Sequence, residues 1–186
     1  MRNCSMSAKI ITIAIEKGGT GKTVTASNLA YLMGDEGKKV LCVDTDPQGN
    51  LTKALSGGLS ITSDEFYGKA LYNLFDGFLY HSKTRDFIVE TQYENVDMIP
   101  CDAQTPRINK RIELLIGDAE RLKDGDPRKV SGMGDFLCYF LNQVRDEYDY
   151  ILIDTQPTRD SLLLSNAIYA ADYILIPAGC EDNSEE

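Results

Sequence analysis

Tryptophan is absent from the sequence, and only one histidine, His81, occurs among its 186 residues. Basic residues are also scarce: 19 Lys and Arg stand against 29 Asp and Glu, a net charge of -10. A chain with this balance lacks the positive excess that is typical of nucleic-acid-binding domains. Since His81 lies in a polar stretch, we expect it at the surface rather than in a catalytic centre.

Close cysteine pairs and long apolar runs are missing as well. No two cysteines form the Cys-x-x-Cys pair of zinc or redox sites, and scattered cysteines in odd number favour reduced thiols in a cytoplasmic protein. The apolar run Ile10–Ile15 is too short for a signal peptide, and no stretch reaches the roughly 18 apolar residues of a membrane span. We therefore expect a cytoplasmic protein without a membrane partner.

Apolar segments of two kinds alternate along the chain. Ile10–Ile15 and Val40–Val43 are typical of buried strands, and Val24–Glu36 between them has helical spacing. This alternation predicts an α/β fold with a mainly parallel, twisted sheet flanked by helices. Further strands are predicted at Phe87–Val89, Val96–Ile99, Tyr150–Ile153 and Tyr173–Ile176, and further helices at Asn109–Leu122 and Phe136–Val144.

A glycine-rich loop follows the first predicted strand and opens the first predicted helix. Its glycines let successive backbone N–H groups face a phosphate, and the helix N-terminus adds its positive end. In this pattern Lys22 reaches the β- and γ-phosphates, while the Thr23 hydroxyl is placed to ligate Mg²⁺. We therefore predict a site for nucleotide phosphates and Mg²⁺. Its predicted residues are Gly18, Gly19, Thr20, Gly21, Lys22, Thr23 and Val24.

Carboxylates follow two of the predicted strands. Asp44 and Asp46 lie two residues apart, and therefore on one side of an extended chain. One carboxylate of such a pair can hold a metal-bound water while the other orients the attacking water. Asp154 ends the hydrophobic strand Tyr150–Ile153, a position from which an acid supports Mg²⁺ through its water shell. The predicted metal site consists of Thr23, Asp44 and Asp154.

The loop departs from the pattern G-x-x-x-x-G-K-[ST], because Glu16 replaces its first glycine and Lys17 follows. It resembles the deviant Walker A ATPases, with the pattern K-G-G-x-[GT]-K-[ST], which include ParA/Soj partition proteins, MinD and the nitrogenase iron protein. The resemblance implies a P-loop NTPase fold with ATP and Mg²⁺ as cofactors, and a nucleotide-sandwich dimer. In that dimer Lys17 is an eighth ATP-binding residue, which reaches the phosphates of the other subunit. The segment Asp44–Asn50, D-T-D-P-Q-G-N, resembles switch I of the ParA/Soj branch. By that resemblance Asp46 positions the attacking water and acts with Lys17 and Lys22 in catalysis.

The resemblance also implies a function. A ParA/Soj-like protein is an ATP-dependent chromosome or plasmid partition ATPase that dimerises on ATP, binds DNA nonspecifically and hydrolyses ATP when a ParB-like partner stimulates it. Because the chain is acidic, we expect DNA binding and nucleoid association only of a longer form. A basic helix edge at Arg107, Lys110 and Arg111 is predicted to be a solvated face. A MinD-like or other cargo-positioning ATPase, and a truncated nucleotide-binding remnant without turnover, remain alternatives.

The matching segments extend from Lys9 to Pro177. We expect a disordered leader over residues 1–8, an ATPase domain over 9–177 and an acidic tail over 178–186. The last part of the family fold is expected to be missing. Within the domain, Gln156 departs from the family pattern, which usually has a proline or another small residue two positions after the aspartate.

Overall fold

A computed structural model of the chain describes residues 7–59, 62, 64–126, 128–129, 135–158 and 160–178. The strands in this part are β1 (Lys9–Ile13), β2 (Val40–Asp44), β3 (Val89–Glu90), β4 (Val96–Ile99), β5 (Tyr150–Asp154) and β6 (Tyr173–Leu175). They form one sheet in the order β3-β4-β2-β5-β1-β6. Every neighbouring pair is parallel except β3 and β4. The prediction of a mainly parallel sheet is confirmed.

Helices cover both faces of the sheet. The α-helices of the described residues are α1 (Lys22–Asp35), α2 (Asn50–Leu55), α3 (Leu71–Asp76), α4 (Ile108–Glu120), α5 (Asp135–Asn142) and α6 (Leu162–Ala170). One apolar core packs α1 and α2 on one face, and a larger core packs α3 to α6 on the other. Strand β2 is buried at all five positions, as expected of a strand covered on both sides. No helix in the described ranges has the length and apolar character needed to cross a membrane.

Several predicted boundaries shift in the structure. Ala8 is fully buried and its N–H donates to the Arg145 carbonyl at 2.9 Å, so the fold begins one residue before the predicted domain. Residues 1–6 of the predicted leader and 179–186 of the predicted tail lie outside the described residues. Phe87, expected in a strand, belongs to the 3-10 turn Thr84–Phe87, because hydrogen bonds from Thr84 hold that turn against α5. His81 is exposed, as predicted.

The helices α2 and α3 have no strong sequence signal because each has only six residues. Helices this short depend on tertiary contacts rather than on propensity. Here the Thr52 amide donates to the Asp44 carboxylate, and the Leu71 amide donates to the Pro100 carbonyl. Tertiary hydrogen bonds of this kind therefore stabilise both short helices.

The strand order decides where the predicted site residues meet. Because β5 lies between β1 and β2, Asp154 is a register partner of both Ile13 and Asp44. The loops after these three strands therefore emerge side by side at the carboxyl edge of the sheet. This is the edge at which open α/β sheets bind their ligands.

Candidate functional site

The glycine-rich loop connects β1 to α1. Gly19 and Gly21 have φ values of +73° and +84°, a region that side-chain-bearing residues rarely adopt. Gly21 is the N-cap of α1, and no side chain caps the helix there. The first N–H groups of α1 are therefore available to an anion such as a phosphate.

Lys22 lies against this loop. Its side chain is largely buried, and Nζ donates to the carbonyls of Ile15 at 3.2 Å and Lys17 at 3.3 Å. These are long hydrogen bonds to neutral acceptors. A phosphate would compete well for this ammonium group, because it adds the attraction between opposite charges that a neutral carbonyl lacks.

The predicted metal-binding residues Thr23 and Asp154 are in direct contact. The Thr23 hydroxyl donates to Asp154 Oδ2 at 2.6 Å, and Asp154 is fully buried. Burial raises the pKa of Asp154 to about 7, with the Thr23 hydrogen bond acting in the opposite direction. Its second oxygen, Oδ1, is buried without a hydrogen-bond partner among the described residues. An unpartnered buried carboxylate oxygen beside a hydroxyl oxygen suits a hard cation and its waters.

The composition of this pair fits Mg²⁺ bound together with a nucleotide. Within the described part of the chain, no group of three His, Cys, Asp or Glu side chains is arranged to hold a metal. At phosphate sites Mg²⁺ usually takes one or two protein oxygens, and waters and phosphate oxygens complete its octahedral shell. Thr23 and Asp154 are oxygen donors of this kind.

Asp44, the third predicted metal ligand, is engaged by its own loop. Oδ1 accepts the Asp46 N–H at 3.1 Å, and Oδ2 accepts the Thr52 N–H at 2.8 Å and the Thr52 hydroxyl at 2.7 Å. Burial raises the pKa of Asp44 to about 6, although these hydrogen bonds oppose the rise. In the structure this carboxylate anchors the loop after β2. Its role as a metal ligand stays a prediction.

Asp46 lies at the wall of an open depression of about 410 Å³. It is 8% exposed, and its Oδ1 accepts the Gln48 N–H at 2.9 Å. Seven of the eight predicted ATP-binding residues line the same depression, whereas Lys17 is exposed beyond it. The lining residues are Gly18, Gly19, Thr20, Gly21, Lys22, Thr23, Val24, Asp46, Gln48, Asn50 and Pro157.

Three of these lining residues had no assigned role in the sequence. Gln48 and Asn50 belong to the D-T-D-P-Q-G-N segment, so its resemblance to switch I could have indicated them. Pro157 comes from the loop after β5, and no sequence signal connected it with the glycine-rich loop. Its neighbour Gln156 does not line the depression, and its amide instead donates to Ser161 Oγ at 2.9 Å.

The basic helix edge is largely neutralised by neighbouring acids. Lys110 pairs with Glu113 at 2.8 Å, and Arg111 pairs with Asp76 at 3.1 Å. Arg107 and Lys110 are exposed, as expected of a solvated face, whereas the Arg111 side chain is mostly buried in its pair with Asp76.

The comparison with known proteins places this chain in a family. A family model described as an AAA domain matches residues 8–186. The sporulation initiation inhibitor protein Soj of Bacillus subtilis is 35% identical over 173 residues, which cover 93% of this chain and 59% of Soj. The chromosome partitioning protein ParA of Myxococcus xanthus is 34% identical over 176 residues, which cover 93% of this chain and 53% of ParA.

A solved structure is also similar to this chain. The ATP complex of a variant of Cyanothece McdA matches with a TM-score of 0.71 and 26% identity, over 92% of this chain and 56% of that one. The chain thus spans little more than half the length of the curated relatives that it matches. With the AAA-domain match over residues 8–186 and the deviant glycine-rich loop in place, the chain belongs to the ParA/Soj-like family of ATPases.

Proposed function

We propose that this chain forms the nucleotide-binding part of a DNA-partition ATPase, which binds Mg²⁺ and ATP and hydrolyses the terminal phosphate. One observation carries the proposal: the contact between Thr23 and Asp154 lies beside the depression that Lys22 and Asp46 line. Phosphate binding, cation binding and water positioning thus have candidate groups at one edge of the sheet.

The chemistry assigned to each group follows from its position. The loop amides and Lys22 hold the β- and γ-phosphates, and Thr23 and Asp154 hold the cation. When bound, Mg²⁺ supplies charge neutralisation to the transferring phosphoryl group. Asp46 faces the depression from the opposite loop and orients the attacking water. Phosphoryl transfer needs little more from a protein than such positioning and charge stabilisation.

Lys17 supports the proposal of an ATP-dependent homodimer. It is exposed outside the depression, while its backbone carbonyl accepts hydrogen bonds from Thr20 and Lys22 within the loop. A side chain at this place can reach a nucleotide held by a second copy, as the family resemblance implies. A ParB-like activator and a cytoplasmic location belong to the same proposal, because the resemblance to the ParA/Soj branch implies them.

Nonspecific DNA binding is proposed for a longer form rather than for the described residues. Lys and Arg contacts to phosphates supply most of the affinity in nonspecific DNA binding, whereas this chain has a net charge of -10. Lys110 and Arg111 are already paired with Glu113 and Asp76. We therefore expect negligible binding of a nonspecific duplex by residues 1–186 at physiological salt.

ATP turnover by the purified chain tests the proposal. We expect Mg²⁺-dependent phosphate release that chelation by EDTA abolishes and that the Lys22→Ala variant lacks. ATP binding without any turnover, with or without a nonspecific duplex, would favour the remnant alternative. A chain that neither binds nor hydrolyses ATP would contradict the proposed function.

A further inference from the structure

Thr52, in the first turn of α2, is the centre of a buried polar network beside the site. Its amide and hydroxyl both donate to Asp44 Oδ2, at 2.8 and 2.7 Å. Its hydroxyl oxygen accepts the N–H of Cys101, just beyond β4, at 3.1 Å. Thr52, Asp44 and Cys101 are all buried. One hydroxyl group therefore joins α2 to the ends of two neighbouring strands.

The network continues from Asp44 to the wall of the depression. The other carboxylate oxygen of Asp44 accepts the Asp46 N–H at 3.1 Å, and Asp46 Oδ1 accepts the Gln48 N–H at 2.9 Å. Both Asp46 and Gln48 line the depression. The position of Asp46 is thus tied, through two carboxylates, to a hydroxyl that does not itself reach the site.

We propose that Thr52 is a positioning residue for ATP hydrolysis: its hydroxyl fixes Asp44, and Asp44 fixes the loop that presents Asp46. The catalytic part of this inference rests on the proposed function. Loss of the hydroxyl removes one donor from a buried carboxylate and the only acceptor found for the Cys101 N–H within the described residues. A buried polar group without a hydrogen-bond partner costs free energy. We therefore expect the loop to move until the Asp44 carboxylate and the Cys101 N–H regain partners or reach water.

A small movement of this loop is expected to affect the chemical step much more than ATP binding. The groups assigned to the phosphates lie in the other loop, Gly18–Thr23, and the hydrogen bonds of Thr52 in the described structure go to Asp44 and Cys101 instead. Misplacement of a catalytic group by about 1 Å can reduce a rate about 100-fold. A positioning role therefore predicts a fall in kcat with a nearly unchanged KM for ATP.

Two substitutions separate the hydroxyl from the rest of the side chain. Thr52→Val keeps the shape and removes the hydroxyl, and we expect its kcat to fall about 10- to 100-fold with KM changed by less than about threefold. Thr52→Ser keeps the hydroxyl, and we expect kcat within about threefold of the parent chain. If the valine variant does not fold, Thr52→Ala tests the same hydroxyl, with the same expected direction.

Thr84→Val provides a matched control. Thr84 is equally buried, and its hydroxyl donates to the Phe140 carbonyl at 2.8 Å in the core on the other side of the sheet. We expect a comparable decrease in thermal stability and an unchanged kcat. An equal loss of kcat in Thr84→Val and Thr52→Val would assign both effects to general destabilisation and overturn the inference.

Hydrogen exchange of the amides of Asp46 and of residues 48–52 gives a readout that does not require turnover. We expect about tenfold faster exchange in Thr52→Val, and parent-like exchange in Thr52→Ser and Thr84→Val. Unchanged exchange in Thr52→Val would overturn the inference whatever the activity. If the parent chain itself shows no turnover, the proposed function fails, and exchange alone decides whether Thr52 holds the loop.

Discussion

The Thr23 hydroxyl lies 2.6 Å from Asp154 Oδ2, although 131 positions separate the two residues in the sequence. The hydrogen bond joins the first turn of α1 to the end of β5. It leaves Asp154 Oδ1 buried and without a partner in the described structure. A cation that binds here has a hydroxyl and a carboxylate already in place, so little reorganisation is needed.

Replacing Thr23 tests this cation site. Thr23→Val removes the hydroxyl, and we expect the Mg²⁺-dependent part of ATP affinity to fall about tenfold or more, because a ligand oxygen is lost. Calorimetric titration of ATP in Mg²⁺ and in EDTA measures the difference. Ser27→Ala is a suitable control, since the Ser27 hydroxyl, on the same helix, donates only to the Val24 carbonyl. If Mg²⁺ increases the ATP affinity of Thr23→Val as much as that of the parent chain, Thr23 is not a ligand of the cation.

Lys22→Ala is expected to abolish ATP binding measurable by calorimetry. The substitution removes the ammonium group assigned to the β- and γ-phosphates, and charge-assisted hydrogen bonds are the strong ones in such sites. Lys38→Ala, at an exposed position away from the depression, should leave the affinity unchanged. Unchanged affinity in Lys22→Ala would show that the phosphates bind elsewhere.

Asp46→Ala is expected to retain ATP and to lose hydrolysis. The carboxylate is assigned to the attacking water and not to the nucleotide, so its loss should slow the chemical step by about 100-fold or more while ATP affinity stays the same. Single-turnover phosphate release and equilibrium binding, measured on the same preparation, separate the two effects. Hydrolysis at the normal rate would transfer the role to another acid.

Lys17→Gln should spare ATP binding by one chain but weaken the ATP-dependent dimer. The exposed side chain is assigned to the nucleotide of the partner, so the monomer loses no phosphate contact. Sedimentation velocity with ATP and Mg²⁺, at matched concentrations of parent and variant, measures the change. Dimerisation equal to that of the parent would refute the assignment of Lys17.

The raised pKa values of Asp44 and Asp154 predict the pH dependence of stability in metal-free protein. Their folded pKa values of about 6 and about 7 lie above the ordinary value of 3.8, because burial disfavours the charged form. The folded state then holds more protons than the unfolded state between about pH 4 and 7, so the free energy of unfolding falls as pH rises through this window.

Asp154→Asn should remove part of that pH dependence. The amide cannot ionise, and one pKa unit corresponds to about 1.4 kcal/mol, so we expect the decrease in unfolding free energy between pH 5 and 8 to shrink by about 1 kcal/mol or more. Urea unfolding of the parent and the variant at both pH values measures this. An identical pH dependence in the two proteins would contradict the raised pKa of Asp154.

Much of the site could be predicted from the sequence because its main signals are local. The glycines, Lys22 and Thr23 occupy one continuous stretch of chain. The backbone conformation of this stretch depends mainly on residues that are adjacent in the sequence. Asp46 and Asp154 were predicted from their positions after strands, since the ends of parallel strands meet at one edge. The alternation of apolar segments likewise determined an α/β fold with a mainly parallel sheet.

Only the tertiary structure decided which distant groups touch. The placement of β5 between β1 and β2 puts Asp154 against Thr23 and next to Asp44. The structure also shows that both oxygens of Asp44 accept hydrogen bonds, from the Asp46 N–H and from Thr52, within the segment that follows β2. Thr52 had no sequence signal at all. The role of a hydroxyl depends on its hydrogen-bond partners, such as the Cys101 N–H that the neighbouring strand β4 brings near Thr52. The apolar periodicity of the sequence does not identify such partners.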